Sequence, residues 1–181
     1  LCNPVRGGTL KVPMSWLRSY VDVTLPPREL CDRLTMAGLE TSGIEMVGKN
    51  WGNILVGHVV AVEQHPNADR LSLTTVDVGT EEITVVCGAP NVAAGQRIAF
   101  ARVGARLTNP QTGKLETLKA AQIRGVVSQG MVCSKRELGL GDDHTGILVL
   151  DEDAPIGTPL ADYMGDVVLD LEVTPNRPDW L

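Results

Sequence analysis

Between Arg97 and Arg136 the chain carries eight basic side chains, Arg97, Arg102, Arg106, Lys114, Lys119, Arg124, Lys135 and Arg136, against a single acid, Glu116. Cations at that density suit one kind of chemistry, neutralising a polyanion such as a nucleic-acid backbone. From Glu63 to Glu82 the sign reverses: Glu63, Asp69, Asp77, Glu81 and Glu82 stand against Arg70 alone. The middle of the chain is therefore expected to fold into a dipolar body with one basic face. The same charges could also serve only to solvate strand edges.

Two short constellations refine this expectation. From Arg124 to Arg136, Ser128, Gln129, Met131, Ser134 and Lys135 surround Gly125 and Gly130, two positions where backbone can approach a ligand closely. The competing reading is a Gly-bent final strand whose Met131 and Cys133 pack inward. The loop His65 to Leu71 holds Pro66, Asn67 and Asp69, which shape turns, and offers Asn67 and Arg70 as candidate ligand contacts.

Other chemistry finds little support. His58, His65, His144, Cys87 and Cys133 show no paired metal-ligand spacing. The run Gly139 to Gly146 lacks the Lys-Ser/Thr ending of a phosphate loop and precedes a strand. No base or orienting group is evident beside Cys87 or Cys133, so no catalytic residue, no metal and no bound cofactor are expected in this chain.

The elements that must position these residues follow from composition. Of 181 residues, 19 are Gly and 11 Pro while aromatics make up 3%, a balance of short strands and many turns. Four scattered cysteines indicate neither a zinc knuckle nor a disulfide framework. No uncharged stretch is long enough to span a bilayer, so a cytoplasmic protein without membrane contact is expected. Residues 1–50 are nearly neutral, 51–148 balance nine bases against nine acids, and 149–181 carry eight acids against Arg177.

From Pro13 to Gly48 the pattern predicts two short helices, one capped by Ser15 and one opening at Pro27 and closing at Gly38. Ile54–Glu63, Leu71–Val78, Ile83–Cys87, Arg97–Val103 and Ile123–Cys133 read as strands fenced by Gly, Pro or Asn. They predict a five-stranded OB-fold barrel over residues 49–148. A strand at 147–150, a helix at 160–164 and a strand at 167–173 complete the pattern. The two flanks, 11–48 and 149–181, are expected to meet as one small α+β domain with the barrel inserted between them. The fold class is thus α+β with an all-β insert, and residues 1–10 form an unassigned extension.

Lys11-Val12-Pro13-Met14-Ser15-Trp16-Leu17 and Leu34-Thr35-Met36-Ala37-Gly38-Leu39-Glu40 resemble the opening of the bacterial phenylalanyl-tRNA synthetase β subunit. His65 to Leu71, Cys87 to Asn91, Ser128-Gln129-Gly130-Met131 and Glu137 to His144 resemble its inserted tRNA-binding OB domain, and Val173 to Asp179 the exit from its first domain. Trp180 departs from the small residue usual there. The resemblance implies a heterotetramer of two α and two β subunits that joins phenylalanine to tRNA using ATP and Mg²⁺, with aminoacylation in the α subunit. It implies tRNA contacts at Ser128 and Met131. With the charge reading, the candidate tRNA-binding set is Asn67, Arg70, Arg97, Arg102, Arg106, Lys119, Arg124, Ser128, Met131 and Lys135; DNA is not an expected partner. The alternatives are a free-standing tRNA-binding OB protein and a subunit-packing module that touches no RNA.

Overall fold

The computed structural model describes residues 8–143 and 145–173. In chain order the elements are β1 (Gly8–Pro13), α1 (Met14–Tyr20), α2 (Pro27–Met36), β2 (Glu40–Val47), β3 (Ile54–Gln64), β4 (Ser72–Asp77), β5 (Glu82–Cys87) and β6 (Arg97–Arg102). There follow β7 (Arg106–Thr108), β8 (Leu115–Thr117), β9 (Ala121–Ile123), β10 (Val126–Ser128), β11 (Gly130–Val132), β12 (Val149–Leu150), α3 (Leu160–Met164) and β13 (Asp166–Val173). The chain divides into two compact units, one from residues 1–47 with 165–181 and one from 48–164.

In the first unit β13 lies between β1 and β2 in an antiparallel sheet. Val12, Leu169, Leu171 and Val173 bury against Met14 of α1, Cys31 of α2 and Leu39. Pro27 starts α2 as predicted, and Gly38 ends it at φ 94°. Two expectations are corrected. Ser15 does not cap α1: it lies within the helix, and its hydroxyl donates to Asp166 at 2.5 Å. Glu40–Val47 is a strand, because β13 needs a second hydrogen-bonded neighbour and Glu40 to Val47 supply it. The unassigned N-terminal segment contributes Gly8–Leu10 to β1. Of the exit motif only Val173 is placed; Thr174 to Asp179 and Trp180 lie outside the described residues.

The second unit is the barrel. Its sheet runs β11-β6-β3-β4-β5, all antiparallel, with β12 extending the edge of β6. Ile98, Phe100, Val59, Val76 and Val85 fill the interior, and burying Phe100 completely contributes on the order of 2–3 kcal/mol. Two glycines make room for this core. A Cβ on Gly57 would sit 2.6 Å from Val76 Cγ1, and one on Gly130 would overlap Phe100 Cζ.

The segment Ile123–Cys133, expected as one strand, is a hairpin (β9–β10) followed by the three-residue β11, since Arg124 and Gly125 both adopt positive φ and turn the chain back. Residues 149–164 belong with the barrel rather than the flank. β12 pairs with β6, Val56 N–H donates to Thr158 O at 2.8 Å, and Gly157 N–H donates to Val56 O at 2.8 Å. Asn91 of the Cys87–Asn91 stretch imitates a strand partner: its amide accepts from Ile147 N–H at 2.8 Å and donates to Ile147 O at 3.1 Å. No described helix is long and apolar enough to cross a membrane.

Candidate nucleic-acid interface

In a five-stranded barrel of this topology, the second and third strands and the loops joining strands 1–2 and 4–5 form the surface that takes oligonucleotides. Here those are β4 and β5, the loop 65–71, and the long connection 103–129. The two loops are tied together. His65 is buried, at 3% exposure, and its Nδ1 accepts the backbone N–H of Asn67 at 3.1 Å. A backbone N–H can only donate, so Nδ1 is unprotonated and Nε2 carries the hydrogen, which it directs to Ile123 O at 3.3 Å. Asn67 Nδ2 donates to Arg124 O at 3.1 Å.

The turn held in this way is unusual. Arg124 at φ 49° and Gly125 at φ 94° are the central pair of a β9–β10 hairpin, the positions where both residues need positive φ. Gly supplies that freely; for Arg the left-handed region is disfavoured by about 1 kcal/mol. The Arg124 side chain is exposed, with no partner among the described residues.

The other candidates distribute differently than their clustering in sequence suggests. Arg70 is exposed on the 65–71 loop and lines an open groove of about 640 Å³ with Asp69, Glu63 and Pro90. Arg106 on β7 pairs with Thr117 of β8, and Arg106 and Lys119 are both exposed. Lys119 and the half-buried Met131 line a second groove of about 340 Å³. Met131 also walls a third, of about 270 Å³, beside Cys87 and Ile147. Lys135 is exposed after β11.

Three of the expected contacts are engaged within the fold. Arg102 has the same strand parity as Ile98 and Phe100, so it points to the core side at the end of β6. There it bonds Glu81 at 2.9 Å and Thr80 Oγ1 at 3.0 Å, closing the barrel end. Arg97 lies on the opposite face, in a row that runs Glu82, Asp77, His58, Arg97 and Leu150 across the sheet, and its Nε and Nη1 are buried. Ser128 is buried, and its hydroxyl accepts Val86 N–H at 3.2 Å and donates to Gly130 O at 2.9 Å. It joins β5 to the start of β11 and closes the barrel seam. Arg97 and Arg102 therefore leave opposite faces of β6.

Sequence reasoning missed the His65 and Asn67 clasp, whose partners lie 58 and 57 residues away; the turn-forming types in the loop were its only signal. Trp51 and Phe100 are both buried, Trp51 with its indole N–H on Leu138 O, so neither offers a stacking platform. Burial pushes the thiols of Cys87 and Cys133 up. Among the described residues no three His, Cys, Asp or Glu side chains group to hold a metal ion.

The barrel with its tied loops is an oligonucleotide-binding-type module, and residues 54–159 match the family described as "Putative tRNA binding domain". The chain belongs to that family. Over 94% of its length it is 50% identical to the phenylalanine-tRNA ligase beta subunit of Dehalococcoides mccartyi and 48% identical to that of Salinibacter ruber. It is 44% identical over 95% of its length to the beta subunit of Syntrophus aciditrophicus. It spans only 21% of the length of the first of these relatives. Among solved structures, a MetRS related protein from Pyrococcus horikoshii aligns with 58% of this chain and 85% of its own at 24% identity and a TM-score of 0.41.

Proposed function

We propose that this chain binds tRNA through the rim formed by the 65–71 loop and the 103–129 connection, as part of a phenylalanine-tRNA ligase beta subunit. In that reading the α subunit is its partner in a heterotetramer of two α and two β chains. ATP- and Mg²⁺-dependent aminoacylation takes place in the α subunit, in the cytoplasm. Within that enzyme the task of this chain's own residues is to bind and orient RNA.

The observation that carries the reading is the clasp. It brings Arg124 to the loop that holds Arg70, on the surface this barrel class uses for oligonucleotides. Arg70, Arg106, Lys119 and Arg124 have no ion-pair partner among the described residues. With no exposed aromatic platform on the barrel strands, recognition is by backbone charge and shape rather than by reading unpaired bases.

Titrating a labelled tRNA(Phe) transcript into the 181-residue chain between about 50 and 200 mM salt tests this. Four neutralised phosphates give a log–log slope of about −3. The triple variant Arg106→Glu, Lys119→Glu, Arg124→Glu should abolish most of the binding, whereas Arg102→Gln should leave the slope in place. No measurable binding, or a slope near zero, would instead favour a subunit-packing module.

A further inference from the structure

We infer that Arg124 is a phosphate-contacting residue presented by a strained turn, and that His65 and Asn67 act as positioning residues for it. This rests on the tRNA-binding reading above.

Three observations converge on the turn. At φ 49°, Arg124 occupies a position where Asn, Asp or Gly would be accommodated with less strain. Its side chain makes no hydrogen bond or ion pair among the described residues, so nothing inside the fold accounts for an arginine there. Strain of this kind persists where surrounding structure fixes it, and here the fixing groups can be named.

The carbonyls of Ile123 and Arg124, which flank Arg124 along the backbone, are both taken by the 65–71 loop, the first by His65 Nε2–H and the second by Asn67 Nδ2. The His65 ring is itself oriented by the Asn67 backbone N–H. With both acceptors tied inward, the turn cannot rotate without breaking a bond to the loop, and the guanidinium is left free of the clasp. Asn67, expected from sequence to touch ligand, donates from its amide to the turn. A guanidinium held on a preorganised backbone loses less freedom when it grips a phosphate than one on a mobile loop.

The test uses Arg124→Asn, Asn67→Ala and the double variant in the full chain, with tRNA(Phe) transcript as probe. Arg124→Asn should keep or raise the melting temperature, because Asn tolerates the left-handed region. It should also weaken binding about tenfold and make the salt slope less negative by about 0.7–0.9, the loss of one phosphate. Asn67→Ala should weaken binding in the parent chain but add nothing in the Arg124→Asn background.

A purely structural role for Arg124 predicts a lower melting temperature with an unchanged slope, and that result overturns the inference. So does a double variant whose two losses multiply, since Asn67 would then be touching RNA itself. An Arg124→Asn variant that binds like the parent removes this inference alone. Absence of salt-dependent binding by the parent chain removes both this inference and the function it rests on.

Discussion

Replacing Ser128 with Ala separates a ligand contact from a structural seam. In the parent the hydroxyl is 2.9 Å from Gly130 O and 3.2 Å from Val86 N, and both Ser128 and Val86 are buried, at 4% and 9% exposure. Ala leaves the Val86 N–H without an acceptor where water has little access. An unmade hydrogen bond at such a site costs about 1–3 kcal/mol. The Gly130 carbonyl loses one donor as well, so about 2 kcal/mol is expected. If Val86 exchanges through opening of the barrel, its amide should lose about 30-fold in hydrogen-exchange protection, a tenfold change corresponding to about 1.4 kcal/mol. Amides of β1 and β13, in the other compact unit, serve as the internal reference. At a temperature where the variant is fully folded, its affinity for tRNA should equal that of the parent. A variant with parental protection at Val86 and weakened RNA binding would refute the reasoning and return the hydroxyl to the ligand face.

Gly130→Ala should destabilise the barrel by about 3 kcal/mol or more in chemical denaturation, because the new Cβ would overlap Phe100 Cζ and meet the immovable Ala101 O at 2.8 Å; parental stability would show that β11 can slide. Stability should also fall above about pH 9. Burial pushes the Cys133 and Cys87 thiols up, so they stay protonated in the fold while the unfolded chain ionises them at about pH 8.5–9. That contribution is fully present below the unfolded value and erodes at up to about 1.4 kcal/mol per pH unit per thiol above it. Urea midpoints measured from neutral to alkaline pH, with Cys133→Ala flattening the decline, check the sign.

The barrel was legible because its strands carry their own signals: Ile54, Val56, Ile98 and Phe100 sit in β-branched or apolar runs, and Gly57 and Gly130 punctuate them where Phe100 needs space. β2 was not legible, since Gly43 and three glutamate or serine positions interrupt it and its partner lies more than a hundred residues away in β13. The hairpins β7–β8 and β9–β10 are built from three-residue strands, mostly exposed, and short exposed strands leave almost no periodic pattern.

The candidate site divides along the same line. A run of cations reports how much charge a segment has, whereas strand parity decides where the charge goes, and the two can disagree within one strand. Arg97 and Arg102 are five residues apart on β6, an odd interval, so they must leave opposite faces of the sheet. One joins an outer row with His58 and Asp77, and the other seals the barrel end against Glu81. Alternation from the apolar Ile98 and Phe100 already contained that division. The clasp had no comparable signal, because bonding between Asn67 and Arg124 depends on how tightly the sheet coils, and that is set by the glycines only after the strands have paired. In the reading proposed above, the polyanion is met by the 65–71 loop and the 103–129 connection, where Arg70 and Arg124 have no ion-pair partner among the described residues. Sequence charge density overstates the size of the basic surface for as long as register is unknown.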